Sequence, residues 1–177
     1  MEEMDMKDNI KVLISQEDLE NRIKEMAEQI SKEYEGEELH LICILRGSVF
    51  FTCELAKYLT IPVTIDFMTA SSYRDQMESC GSVDIMRELT DSIEGRNILV
   101  IEDIIDSGKT LSCILSLLKE KNPKSLKLCT LLDKPDRRVV SVDVDYIGMQ
   151  IPDLFVVGYG LDFAQKYRNL PYIGVIE

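Results

Sequence analysis

The segment Ile98-Leu99-Val100-Ile101-Glu102-Asp103-Ile104-Ile105-Asp106-Ser107-Gly108-Lys109-Thr110-Leu111 concentrates the chemistry of this chain. An apolar run leads into two adjacent carboxylates, Glu102 and Asp103. A third acid, Asp106, follows, and Ser107-Gly108-Lys109-Thr110 opens a helix. Those last four residues offer backbone N–H groups, hydroxyls and the positive end of a helix dipole to a single phosphate. Gly108 allows a close backbone approach that a side chain would block. The upstream carboxylates can hold ribose hydroxyls or magnesium, a hard cation that prefers oxygen ligands. Gly-Lys-Thr also ends a Walker A loop, but that loop needs glycine where Asp103 stands, which sets nucleoside triphosphatase chemistry aside.

Strands and helices must place these groups, and the pattern supplies them in alternation. Ser15-Gln16-Glu17-Asp18 resembles a helix cap, after which Leu19, Ile23, Met26, Ala27 and Ile30 mark one helical face ended by Gly36. Leu39–Leu45 is nearly all apolar, as in a strand buried on both faces. Arg46-Gly47-Ser48 interrupts it, and Val49–Leu59 predicts a second helix. Val63–Phe67 alternates like a strand. The polar stretch 71–82 has no steady period and is long for a connection, a length usually tied to function or disorder. Beyond it come a short alternating run over Val83–Leu89, a turn at Glu94–Asn97, the strand Ile98–Ile101 and a helix over Leu111–Lys121. Further strands are predicted at Ser125–Leu132, Val142–Ile147 and Phe155–Val157. This alternation implies an α/β fold with a parallel sheet, whose ligands sit at the carboxyl ends of the strands.

Composition narrows the function. The 177 residues, 45% hydrophobic and 29% charged, suit a single domain over 1–177 with a frayed tail at 1–9. Twenty Lys+Arg against 32 Asp+Glu give a net charge of −12, which argues against a nucleic-acid or anionic-lipid surface. Apolar runs are too short and too often broken by charge to span a membrane, and the acidic start is unlike a signal peptide. Five scattered cysteines without a C-x-x-C pair fit a reducing cytoplasm, with thiols acting as small core residues. The one histidine, His40, lies in the run LHLICIL, which leaves little room for a Ser-His-Asp or Cys-His mechanism.

The Val-Ile-Glu-Asp-Ile-Ile-Asp-Ser-Gly-Lys-Thr-Leu run resembles the phosphoribosyl-pyrophosphate motif of phosphoribosyltransferases, most closely their hypoxanthine-guanine branch, and the likeness extends from about Val12 to the C-terminus. It implies a type I phosphoribosyltransferase fold, a parallel sheet flanked by helices with a small hood built from the chain ends. It implies magnesium as cofactor, phosphoribosyl pyrophosphate and a 6-oxopurine as substrates, pyrophosphate as a product, and a homodimer or homotetramer.

The same resemblance assigns roles. Glu102 and Asp103 would meet ribose hydroxyls and the magnesium shell, Asp106 would be the acid/base beside purine N7, and Ser107, Gly108, Lys109 and Thr110 would hold the 5′-phosphate. Leu45, Arg46 and Gly47 resemble a pyrophosphate loop, one with a non-proline cis peptide in this family, and Arg168 would reach the same group. Lys134 is similar to the lysine that meets the purine 6-oxygen; an ammonium donates hydrogen bonds and accepts none, so it suits a 6-oxo group and not the 6-amino group of adenine. Phe155 would stack on the base, Val156 would offer backbone contacts, and Asp162 would help hold a second magnesium. Ser72 and Tyr73 match the start of a mobile loop, although Arg74-Asp75-Gln76-Met77 replaces the usual glycine- and serine-rich continuation. The alternative reading is a non-catalytic regulator of the same fold, which would be expected to carry a basic face or an added DNA-binding domain.

Overall fold

The computed structural model describes residues 10–72, 83–87 and 89–176. The tail at 1–9 and the stretch 73–82, with Tyr73 and Arg74-Asp75-Gln76-Met77, lie outside the described residues. The elements run β1 (Ile10–Ile14), α1 (Gln16–Glu33), β2 (Leu39–Leu45), α2 (Val49–Tyr58), β3 (Val63–Ser72), β4 (Val83–Arg87), β5 (Asn97–Ile105), α3 (Lys109–Lys119), β6 (Ser125–Asp133), β7 (Tyr146–Gln150), β8 (Val156–Val157) and β9 (Ile173–Ile176).

A six-stranded sheet of order β4-β3-β2-β5-β6-β7 carries the fold. Its β3-β2-β5-β6-β7 pairs are parallel, and β4 joins antiparallel as an outer strand. The apolar strands are buried on both faces because each face has its own core. Leu39 and Leu41 of β2 and Leu99 and Ile101 of β5 pack on one side, with Leu19, Ile23, Met26 and Ile30 of α1 and Phe51 and Leu55 of α2. Their neighbours Ile42, Ile44, Ile98 and Val100 point to the other, against Leu111, Ile114 and Leu118 of α3. Such two-sided burial is what a near-continuous apolar strand encodes. Ser15 caps α1 as expected, accepting the Asp18 amide at 3.1 Å.

A second, three-stranded antiparallel sheet of order β1-β9-β8 forms the hood. Neither β1 nor β9 stands out in the sequence pattern, since both are short and gain their partners only when the chain ends meet. Three other expectations change. The strand predicted at Val142–Ile147 is β7 at Tyr146–Gln150; Val142 and Val144 instead pack beneath α3 as a loop, tethered by the Asp145 amide on the Leu128 carbonyl at 3.0 Å. The strand at Ile98–Ile101 continues to Ile105, so Glu102 and Asp103 lie within β5 and not beyond it. Cys53 is exposed, whereas Cys43 and Cys129 are buried thiols.

Buried Asp66 on β3 fixes the chain at Thr90 and Asp91. It accepts the Phe67 amide at 2.7 Å, the Thr90 amide at 2.6 Å and the Asp91 amide at 3.4 Å. His40 sits near the start of β2, at the sheet end opposite the carboxylates, with Nδ1 2.8 Å from the Thr64 hydroxyl. Burial first, then the Arg96 charge, lower its pKa, so it remains neutral at pH 7 and away from the chemistry.

Candidate active site

The carboxyl ends of β2, β5 and β6 converge as a parallel sheet requires. Leu45, Glu102, Asp106, Ser107, Gly108 and Thr110 line one cavity of about 250 Å³. Gly108 has φ +79° and precedes α3 with no side-chain cap, and the Lys109 amide that begins the helix donates to the Ser107 hydroxyl at 3.4 Å. The left-handed glycine turns the chain so that amides at the helix start face the cavity, an arrangement that suits an anion. The Lys109 side chain is exposed beside it.

Glu102 lines this cavity, and both it and its neighbour Asp103 are partly buried. Burial first, then the Asp103 charge and the hydrogen bond between the two acids, push the Glu102 carboxyl well above the usual range. Burial also raises Asp103, although its hydrogen bonds with Glu102 and the Ile104 amide work the other way. Two carboxylates so placed cannot both carry charge cheaply without a cation. Among the described residues no cluster of three or more His, Cys, Asp or Glu side chains forms a closed metal cage.

The Leu45-Arg46 peptide is cis, as the resemblance implies. A β-carbon on Gly47 would overlap the Asp103 carboxylate, and one on Gly160 would overlap the Gly47 carbonyl. The loop after β2 is therefore wedged between the acidic end of β5 and the loop after β8, with room only for glycine. Arg168 stands on the far side of that contact. It donates to the Gly160 carbonyl at 2.6 Å and pairs with Asp162 at 2.8 Å.

Lys134, one residue past β6, is 7% exposed. Its Nζ lies 3.4 Å from Asp106 and 4.0 Å from Asp153. Phe155 is 56% exposed and meets Phe163 edge-to-face at 5.7 Å, so it presents a free ring face near the lysine's partner Asp153 instead of filling the core. Val156 is buried in β8, where it pairs with Val175. Ser72 ends β3 opposite Val83.

Residues 14–164 match the family described as the phosphoribosyl transferase domain. The chain belongs to that family. It is 51% identical to the hypoxanthine phosphoribosyltransferase of Buchnera aphidicola over 97% of this chain and 98% of that one. It is 47% identical to the hypoxanthine phosphoribosyltransferase of Escherichia coli K12, over 97% of each. A crystal structure of a hypoxanthine phosphoribosyltransferase from Staphylococcus aureus superposes with a TM-score of 0.93 at 45% identity, covering 99% of this chain and 97% of that one. The chain is thus a transferase with the type I phosphoribosyltransferase fold.

Around the motifs of this phosphoribosyltransferase stand residues that the motifs do not announce. Gln165 joins two arginines, accepting from Arg46 and from Arg168, each at 3.2 Å. Its own amide donates to Asp162 at 2.8 Å. Asp153 faces Lys134, and Arg138 bridges Asp133 to the Asp106 carbonyl. Only an apolar-to-charged change at the end of β6 hints at the last pair. No helix among the described residues is long and apolar enough to cross a membrane.

Proposed function

We propose that the protein transfers the 5-phosphoribosyl group of phosphoribosyl pyrophosphate to hypoxanthine or guanine, giving the nucleoside 5′-monophosphate and pyrophosphate. The observation that carries this reading is the position of Lys134, its ammonium 3.4 Å from Asp106 at the edge of the phosphate turn. One small site thereby joins a reader of a carbonyl oxygen, a carboxylate able to exchange a proton, and an anion cradle. The names of the relatives support the same substrates.

The residues act as follows. Amides and hydroxyls of Ser107 to Thr110 hold the 5′-phosphate and fix the sugar. Lys134 donates to the purine 6-oxygen, and Phe155 stacks on the ring, a contact worth about 1–3 kcal/mol elsewhere. Purine N9 forms the new bond to sugar C1, the bond from C1 to the pyrophosphate oxygen breaks, and Asp106 takes or returns the proton at N7. Arg46, Arg168 and the backbone of Leu45 and Gly47 receive the departing pyrophosphate. The developing oxocarbenium charge faces the carboxylates of β5, preorganised without solvent rearrangement.

The donor set fits magnesium, which binds through one or two carboxylates plus substrate phosphates and keeps several waters. Glu102 and Asp103 would hold one ion and Asp162 another. When bound, the metal would neutralise pyrophosphate as a leaving group.

The test offers purified protein, magnesium and phosphoribosyl pyrophosphate to hypoxanthine, guanine, xanthine and adenine separately. Monophosphate is expected from hypoxanthine or guanine and not from adenine, and chelation of the metal should stop turnover. No product from either hypoxanthine or guanine overturns the reading.

A further inference from the structure

Three consecutive residues of the β6–β7 connection grip three consecutive residues of the phosphate turn. The Arg138 guanidinium donates from Nη1 to the Asp106 carbonyl at 3.1 Å, while Nη2 pairs with the Asp133 carboxylate. The Val139 and Val140 amides both donate to the Ser107 carbonyl at 3.0 Å. The α-carbon of Gly108 is close enough that a β-carbon there would lie 2.6 Å from the Val140 carbonyl and 3.2 Å from Arg138 Cδ. Asp133 is 4% exposed and, besides Arg138, meets only the Gln150 amide group, at 3.5 Å, among its described side-chain partners.

A buried ion pair costs desolvation and is weak evidence of stability by itself. This one has a geometric consequence. Arginine's planar fork can satisfy a carboxylate and a carbonyl at once, which a lysine cannot do with the same rigidity. We propose that Arg138 is a positioning residue for the 5′-phosphate: anchored by Asp133 at the end of β6, it sets the orientation of the Asp106–Ser107 peptide and so the direction of the amides that follow. It touches no substrate. Asp133 lies beside Lys134 in the chain, so one anchor keeps the phosphate turn in register with the strand end that carries the base-reading lysine. The proposal rests on the phosphoribosyl-transfer reading above.

The test is Arg138→Lys, which leaves a cation for Asp133 and removes the fork. We expect the KM for phosphoribosyl pyrophosphate to rise about tenfold or more, because small misplacements of positioning groups cost up to about a hundredfold. The KM for hypoxanthine should stay within about threefold, and the melting temperature should hold, since the buried pair survives. An unchanged KM for phosphoribosyl pyrophosphate, or an equal rise in both KM values, overturns the proposal. Should that variant fail to fold, the neutral pair Arg138→Gln with Asp133→Asn leaves no buried charge alone and is read in the same way. Wild-type protein that forms no nucleotide at all would withdraw the transfer reading instead, so the two failures are distinct.

Discussion

The Lys134 ammonium and the Asp106 carboxylate stand 3.4 Å apart, one residue beyond the register pair Ile105 and Asp133 that closes β5 on β6. The Lys134 amide continues that register by donating to the Ile105 carbonyl at 3.0 Å. Neither residue owes its place to a flexible loop; two paired parallel strands set their separation.

Asp106→Asn keeps the shape and removes the proton acceptor. We expect kcat to fall by about a hundredfold or more, the scale of general acid–base catalysis. The KM for phosphoribosyl pyrophosphate should change little. Steady-state kinetics at saturating base checks this, and equal turnover would take Asp106 out of the proton transfer.

Lys134→Gln replaces a charged donor with an amide. Hydrogen bonds to charged groups contribute about 1.5–3 kcal/mol, so kcat/KM for hypoxanthine should drop roughly ten- to a hundredfold. The amide can also accept, and adenine should therefore gain relative to hypoxanthine. Competition between the two bases, followed by product chromatography, reads the shift.

Gly47→Ala puts a methyl group where the Asp103 carboxylate lies. Either the loop or the Asp103 side chain must move. We expect the KM for phosphoribosyl pyrophosphate to rise by about tenfold while far-ultraviolet circular dichroism stays unchanged.

Asp66 gives the acid-stability prediction. Burial alone would raise its pKa, but amides of Phe67, Thr90 and Asp91 and the Thr90 hydroxyl outweigh burial and lower it. A depressed carboxylate stabilises the fold above its unfolded pKa and loses that contribution as pH falls through its folded value. Asp66→Asn should therefore destabilise the protein at pH 7, by about 1–3 kcal/mol if one amide is left unpaired. The gap to wild type should shrink below about pH 4. Urea unfolding at several pH values measures it.

The legibility of this chain from sequence followed the range of the interactions. Periodicity over Leu19, Ile23, Met26, Ala27 and Ile30 located α1 because a helix records its buried face locally. The apolar runs of β2 and β5 were legible because both faces of those strands are covered. The hood was legible only through the family resemblance: β1 and β9 are joined across nearly the whole chain, and their residues carry no local sign of the pairing. Within the site, side chains on the strongest motif could be named, whereas Gln165 and Arg138 act through geometry. A glutamine between two arginines and an arginine between a carboxylate and a carbonyl look ordinary until the chain closes around them.

The bare backbone contact between Gly47 and Gly160 bears on ligand design. It joins the loop proposed to receive pyrophosphate to the loop that follows β8, with no side chain between them to compress or rotate. Two fragments, one seated in each half, would then face a nearly fixed span. A short rigid linker matched to that span should lose little ordering entropy on binding, which is where most of the gain from joining fragments arises.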